Sequence, residues 1–192
     1  MKEEMLQNLY NLYCAGADYC TSFADELDMD EFRIVADEDT FVEDLMFMSA
    51  FAIAADGKVD DAEIEKSNEL IESFGYEASP EGIYELVERI SEGVEFPVPE
   101  VLIVLVFCEK LRRIEENPVN TDEVEPMLHN IDFAISVFTD IMCSLVANDK
   151  LSKIEKQVIT DCMEKCVEYV SEELSYDYAA KAKYKQIIDM YC

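Results

Sequence analysis

The sequence predicts an all-α globule, and three observations carry that prediction. Apolar residues recur at spacings of three and four in almost every segment, the period of a helix that buries one face. Cap and stop signals bracket those segments, with Ser, Thr or Asp before them and Gly after them. The one run that could be a buried strand, Val101 to Cys108, has no second strand pattern to pair with and no glycine-rich turn beside it. We therefore expect seven to nine helices in a single domain spanning residues 1–192, with residues 101–108 as a buried central helix. A chain of 192 residues buries about 70% of its unfolded surface on folding, which supports a core without staples.

Residues 2–27 place Leu6, Leu9, Tyr10, Tyr13, Ala17, Cys20, Phe23, Ala24 and Leu27 on one helical face. A short helical or irregular piece, Asp30 to Ala36, follows within the densest acidic run. Thr40-Phe41-Val42-Glu43 has the form of a capping box and predicts a helix from there to Ala55. Gly57 supplies the left-handed residue after that helix, and Asp60-x-x-Glu63 opens the next, which runs to Ser73 or Phe74 before Gly75. Ser79-Pro80 is an N-cap followed by proline at the first helical position, for a helix ending at Gly93. After the loop with Pro97 and Pro99 comes the buried helix, then a polar loop from Asn117 to Pro126. A long helix carries Met127, Leu128, Ile131, Ala134, Phe138, Ile141, Met142, Leu145 and Val146 inward. Ser152-x-x-Glu155 opens another, with Ile154, Ile159, Cys162, Cys166 and Val170, and Glu172 to Cys192 reads as a last helix with Tyr176, Ala179, Ala180, Tyr184, Ile187 and Ile188 inward.

The turn at residues 56–63 returns ninety-two residues later. Asn148-Asp149-Lys150-Leu151-Ser152-Lys153-Ile154-Glu155 repeats its polar residue, lysine, aliphatic residue, cap and glutamate in the same places. Two pseudo-repeated helix–turn–helix units, about 40–75 and 125–170, are expected around the central helix, each covering the other's apolar face. The apolar run Leu45 to Ala54 leading into Ala55-Asp56-Gly57 with Glu63 resembles the tellurite-resistance TerB-like family. The resemblance covers roughly residues 40–175 and implies a compact all-helical fold. It also implies an acidic module of metal and stress responses, a candidate for divalent-cation binding, without a defined reaction.

Asp56, Asp60, Asp61 and Glu63 form the candidate metal site, an oxygen cluster suited to weak Ca2+ or Mg2+ binding with waters completing the shell. An EF-hand is excluded, because its first two ligand positions fall on Ala52 and Ala54. Helix caps alone account for Gly57, Asp60 and Glu63, so two readings stay open. Asp56 favours the ion: placed in the last turn of its helix it opposes the macrodipole, and either a cation or Lys58 folding back would relieve it. Elsewhere, His129 has no paired nucleophile, and Cys162 and Cys166 lack further soft ligands at recognisable spacing. No phosphate-binding glycine loop or hydrolase motif occurs, so no catalytic residue is assigned and a non-enzymatic protein is expected.

Charge narrows the partners. Forty-four acids against fifteen bases leave −29, and residues 1–100 alone carry 27 acids and 5 bases, a net −22. Such a field repels phosphates, so direct nucleic-acid binding and binding to anionic membranes are not expected. A protein partner with a basic surface is. The same charge supports an alternative in which the chain mimics nucleic acid and occupies a basic groove of another protein. No apolar run is long enough to cross a bilayer, Met1-Lys2-Glu3-Glu4 has no secretory character, and seven cysteines without C-x-x-C read as reduced thiols of a cytoplasmic protein.

Overall fold

Eight helices, and no strand, make up the described residues of the computed structural model, which are 2–27, 33–76, 79–147 and 150–192. They are α1 (Lys2–Leu27), α2 (Glu38–Ala54), α3 (Asp61–Glu72), α4 (Pro80–Ser91), α5 (Glu100–Glu116), α6 (His129–Val146), α7 (Lys153–Leu174) and α8 (Tyr184–Met190). No helix among these residues is long and apolar enough to cross a membrane.

The centre is shared by α2, α5 and α6. In α2 the six successive residues Met48 to Ile53 are all buried, so this stretch meets protein on every face. It packs against α3, α4, α5, α6 and α7. Apolar residues do the same for α6, from Ile131 to Val146. The first half of α5 is the buried run expected at 101–108, and beyond it the helix continues to Glu116 with Glu109 and Arg113 also buried. Phe41 pins the start of α2 to its neighbours, its ring lying 5.2 Å from Tyr10 of α1 and 5.2 Å from Phe74 after α3.

Local signals explain most helix ends. Gly57, Gly75 and Gly93 take positive φ at the ends of α2, α3 and α4, where a Cβ would strain the backbone. Capping boxes open α3 and α7: Asp60 N–H donates to Glu63 at 3.2 Å, and Ser152 N–H donates to Glu155 at 2.5 Å. Ser79 and Pro80 start α4 as expected.

Three expectations are corrected. The capping box at Thr40 is not used; Asp37 is the N-cap and accepts from both Thr40 N–H (3.2 Å) and the Thr40 hydroxyl (2.9 Å), so α2 begins earlier. Residues 33–37 are not helical, which is the irregular form allowed for the Asp30–Ala36 piece, and the rest of that piece lies outside the described residues. Nor is Glu172–Cys192 one helix: Ser175, at φ +49°, ends α7, and Tyr178 is drawn into the core to donate to Asp132 (2.7 Å) before α8 starts. Ala179 and Ala180 are consequently exposed. Met127 and Ile154, expected inward, are 49% and 57% exposed, because Met127 precedes α6 and Ile154 sits on the outer side of the first turn of α7. The side chain of Leu27 and the pair Asn148-Asp149 lie outside the described residues.

Candidate binding face

The turn between α2 and α3 has its oxygens committed to backbone. Asp56 lies beyond the end of α2, not in its last turn, and its carboxylate accepts from Lys58 N–H at 2.9 Å. The macrodipole conflict expected there is therefore relieved by the chain's own backbone, without the lysine ammonium. Asp60 accepts from Ala62 N–H at 2.9 Å, and Glu63 returns to Asp60 N–H. Glu63 is only 7% exposed. Burial pushes its carboxyl above the ordinary range, the Asp60 amide opposes this, and the charges of Asp60, Asp56 and Glu155 reinforce it. Asp61 points away from this turn, toward α4, and accepts from the Tyr84 hydroxyl at 3.3 Å. Among the described residues no group of three or more His, Cys, Asp or Glu is gathered so that it could hold a metal ion. Lys66 uses its charge on the far end of α6, donating to the Leu145 carbonyl at 3.0 Å, a cation at a helix C-terminus.

The turn also aims α3. Its burial of Glu63, Ile64, Ser67 and Ile71 leaves Asp61, Glu65, Glu69 and Glu72 outside, at steps of four, four and three residues along one stripe. The neighbouring α4 buries Ile83 and Val87 and exposes Glu81, Glu85, Glu88 and Glu92. A cleft of about 530 Å³ lies on this face, with Ile64 in its floor and Asn68, Pro80 and Tyr84 on its walls. Tyr84 is 42% exposed, and the Asn68 side-chain oxygen is buried without a hydrogen-bond partner.

None of these eight carboxylates is paired with a lysine or arginine among the described residues. Ion pairs concentrate on the other side. Lys110 meets Glu173 at 2.7 Å, Lys156 meets Asp189 at 2.7 Å, and Lys185 meets Glu164 at 3.2 Å. Arg112 clamps buried Glu109 with two bonds of 2.9 and 2.6 Å. Salt bridges among the described residues thus fall mostly on α5–α8, and none reaches the α3–α4 carboxylates.

His129 and the Cys162/Cys166 pair join no such group. His129 is exposed, and the two thiols are buried, Cys162 being pushed up to about 12 by burial. Tyr84, Asn68 and the α4 carboxylates were not singled out from the sequence. The α3 stripe is readable in the spacing 61, 65, 69, 72; its pairing with α4 is a tertiary fact without a local signal. Neither family models nor curated proteins nor solved structures give a match to this chain.

Proposed function

We propose that the chain is a non-enzymatic, cytoplasmic binding module, TerB-like in kind and active in a metal or stress response, whose α3–α4 face receives a basic segment of a protein partner. The observation that carries this reading is the cleft itself: Ile64 in its floor, four α3 carboxylates in its lining and four more exposed on the adjacent α4, none of them in a salt bridge among the described residues. Such an arrangement suits an amphipathic segment with lysines or arginines on its flanks, since opposite charge steers encounter and the apolar floor supplies contact area. Carboxylates at α3 steps of about 6 Å, from the 1.5 Å helical rise per residue, also favour a second reading as a nucleic-acid mimic.

Zero-length carbodiimide crosslinking, which joins carboxylates to lysines, tests both. Crosslinks are expected from Glu65, Glu69, Glu85 and Glu88 to lysines of the partner, falling as salt screens the face. The combined variant Glu65→Lys, Glu69→Lys, Glu85→Lys, Glu88→Lys should abolish them while retaining helical circular dichroism. Crosslinks that survive this reversal would sink the assignment. Displacement of the chain from that partner by duplex DNA selects the mimic.

A further inference from the structure

We propose that Cys20 and Cys108 are an oxidation site, forming an intramolecular disulfide that ties α1 to α5 when the protein meets a peroxide. The two sulfurs lie 3.4 Å apart although 88 residues separate them in the chain. All seven cysteines are free thiols, and no other pair of sulfurs is in such contact among the described residues. Cys162 and Cys166 sit one turn apart on a single helix, where the backbone holds their side chains parallel.

Gly16 makes the contact. A Cβ there would lie 3.1 Å from Val104 Cγ1 and 3.2 Å from Cys108 Sγ, so any larger residue would press α1 away from α5. Cys108 Sγ also donates to the Gly16 carbonyl at 3.1 Å, which fixes its rotamer facing α1. A disulfide needs the sulfurs at about 2.05 Å, an approach of roughly 1.3 Å that two adjustable side chains can supply.

Access is one-sided. Cys20 is fully buried, whereas Cys108 is half-buried and lines a cleft of about 340 Å³ bordered by Leu12, Tyr19 and Met127. Peroxide therefore reaches Cys108, and Cys20 resolves. The Cys20 sulfur beside it, and then burial, push the Cys108 thiol up, so it gives up its proton only to a base that enters the cleft. Hydroxide from solvent takes the Cys108 proton and becomes water. The Cys108 thiolate then attacks the peroxide O–O bond, giving its sulfenic acid and hydroxide, which takes the Cys20 proton to become water. The Cys20 thiolate attacks the sulfenic sulfur, the S–S bond forms, and a second hydroxide leaves. Two thiol sulfurs are oxidised by two electrons, and one hydrogen peroxide is reduced.

The test treats the full chain with hydrogen peroxide, blocks remaining thiols with iodoacetamide and maps peptides without reduction. A crosslinked Cys20–Cys108 peptide pair, two hydrogens lighter than its parts and lost after dithiothreitol, is expected in most molecules. In Cys20→Ser the crosslink must disappear and dimedone must trap a sulfenic acid on Cys108. Recovery of Cys20 and Cys108 as separate alkylated or separately oxidised peptides, in a sample whose exposed Cys192 has been oxidised, overturns the proposal. So does a Cys108 that crosslinks preferentially to another cysteine.

Discussion

Replacing Asp44 with asparagine is expected to stabilise the protein at pH 8 and to leave it nearly unchanged in acid. Asp44 sits on α2 and accepts from Val101 N–H of α5 at 3.2 Å. It thereby serves a helix start whose own N-cap, Pro99, offers no side-chain acceptor. Burial pushes its carboxyl up to about 7 from an ordinary 3.8; the amides of Val101 and Glu100 oppose the shift, and the charges of Glu100 and Glu43 add to it. Tyr13 on α1 and Cys166 on α7 also feel its charge. The folded state thus holds this proton more tightly than the unfolded chain. Stability associated with it is fully present below the unfolded value and is lost as pH rises to about 7. At about 1.36 kcal/mol per pH unit, the gap amounts to an order of 4 kcal/mol above pH 7.

Asparagine keeps an oxygen for Val101 N–H and has no charge to bury. Urea unfolding followed by circular dichroism, from pH 5 to 8.5 and so clear of the sequence pI near 4.1, measures both proteins. The difference between them should grow by about 1.4 kcal/mol per unit from pH 5 to 7 and then level off. The general repulsion among 44 acids weakens both proteins as pH rises and cancels in this difference. A difference that is flat across the range, or an asparagine variant that is less stable at pH 8, refutes the reasoning.

Arg113 is 5% exposed and donates to the carbonyls of Thr121, Val124 and Leu174 at 3.1, 3.0 and 2.7 Å; Arg113→Met should cost about 2–4 kcal/mol in urea unfolding by leaving these buried acceptors unpaired. Lysine at this position should recover little of the loss, since one ammonium cannot span three carbonyls. Gly57, at φ +72° with nothing within 4 Å of an added Cβ, should lose about 1 kcal/mol as Gly57→Ala and less as Gly57→Asn, a purely conformational ranking readable from unfolding midpoints. Asp60→Ala removes the acceptor for Ala62 N–H and breaks the capping box of α3, with an expected loss of about 1 kcal/mol and faster amide exchange in its first turn.

Features that depend on neighbours in the chain were legible in advance. Ser79-Pro80, the Asp60/Glu63 and Ser152/Glu155 boxes and the glycines after α2, α3 and α4 act within a few residues, so their spacing alone locates them. Asp37 and Thr40 show where that reach ends. Both are good caps three residues apart, and Asp37 prevails because its carboxylate takes the amide and the hydroxyl of Thr40 together. The last segment misled for a tertiary reason: its helical periodicity is real, yet Tyr178 gains a buried position and a bond to Asp132 only if the chain leaves the helix at Ser175. Asp44 capping α5, Arg113 binding three carbonyls and Cys20 touching Cys108 have no local signature. Each joins residues at least eight positions apart, most of them on different helices. The turn at residues 56–63 lies where its spacing places it, and backbone amides take one carboxylate oxygen each of Asp56 and Asp60, bonds that the spacing does not display.

With forty-four acids and fifteen bases, most carboxylates cannot have an ionic partner, and tyrosine takes up part of the shortfall. Seven of the ten tyrosines donate to a carboxylate on another segment: Tyr19 to Glu115, Tyr76 to Asp39, Tyr84 to Asp61, Tyr176 to Glu125, Tyr178 to Asp132, Tyr184 to Glu164 and Tyr191 to Asp140. A phenol suits this task because it brings an apolar ring to the core and a donor to its edge. Burial, and then the carboxylates beside them, push the Tyr19, Tyr178 and Tyr191 hydroxyls upward, and the Asp39 hydrogen bond does so for Tyr76, which keeps these donors protonated. Only one of the seven bonds, Tyr84 to Asp61, reaches the α3–α4 carboxylates. Phenols and bases together therefore satisfy acids that hold segments to one another, while seven of the eight α3–α4 carboxylates have neither a phenol nor a base as partner among the described residues.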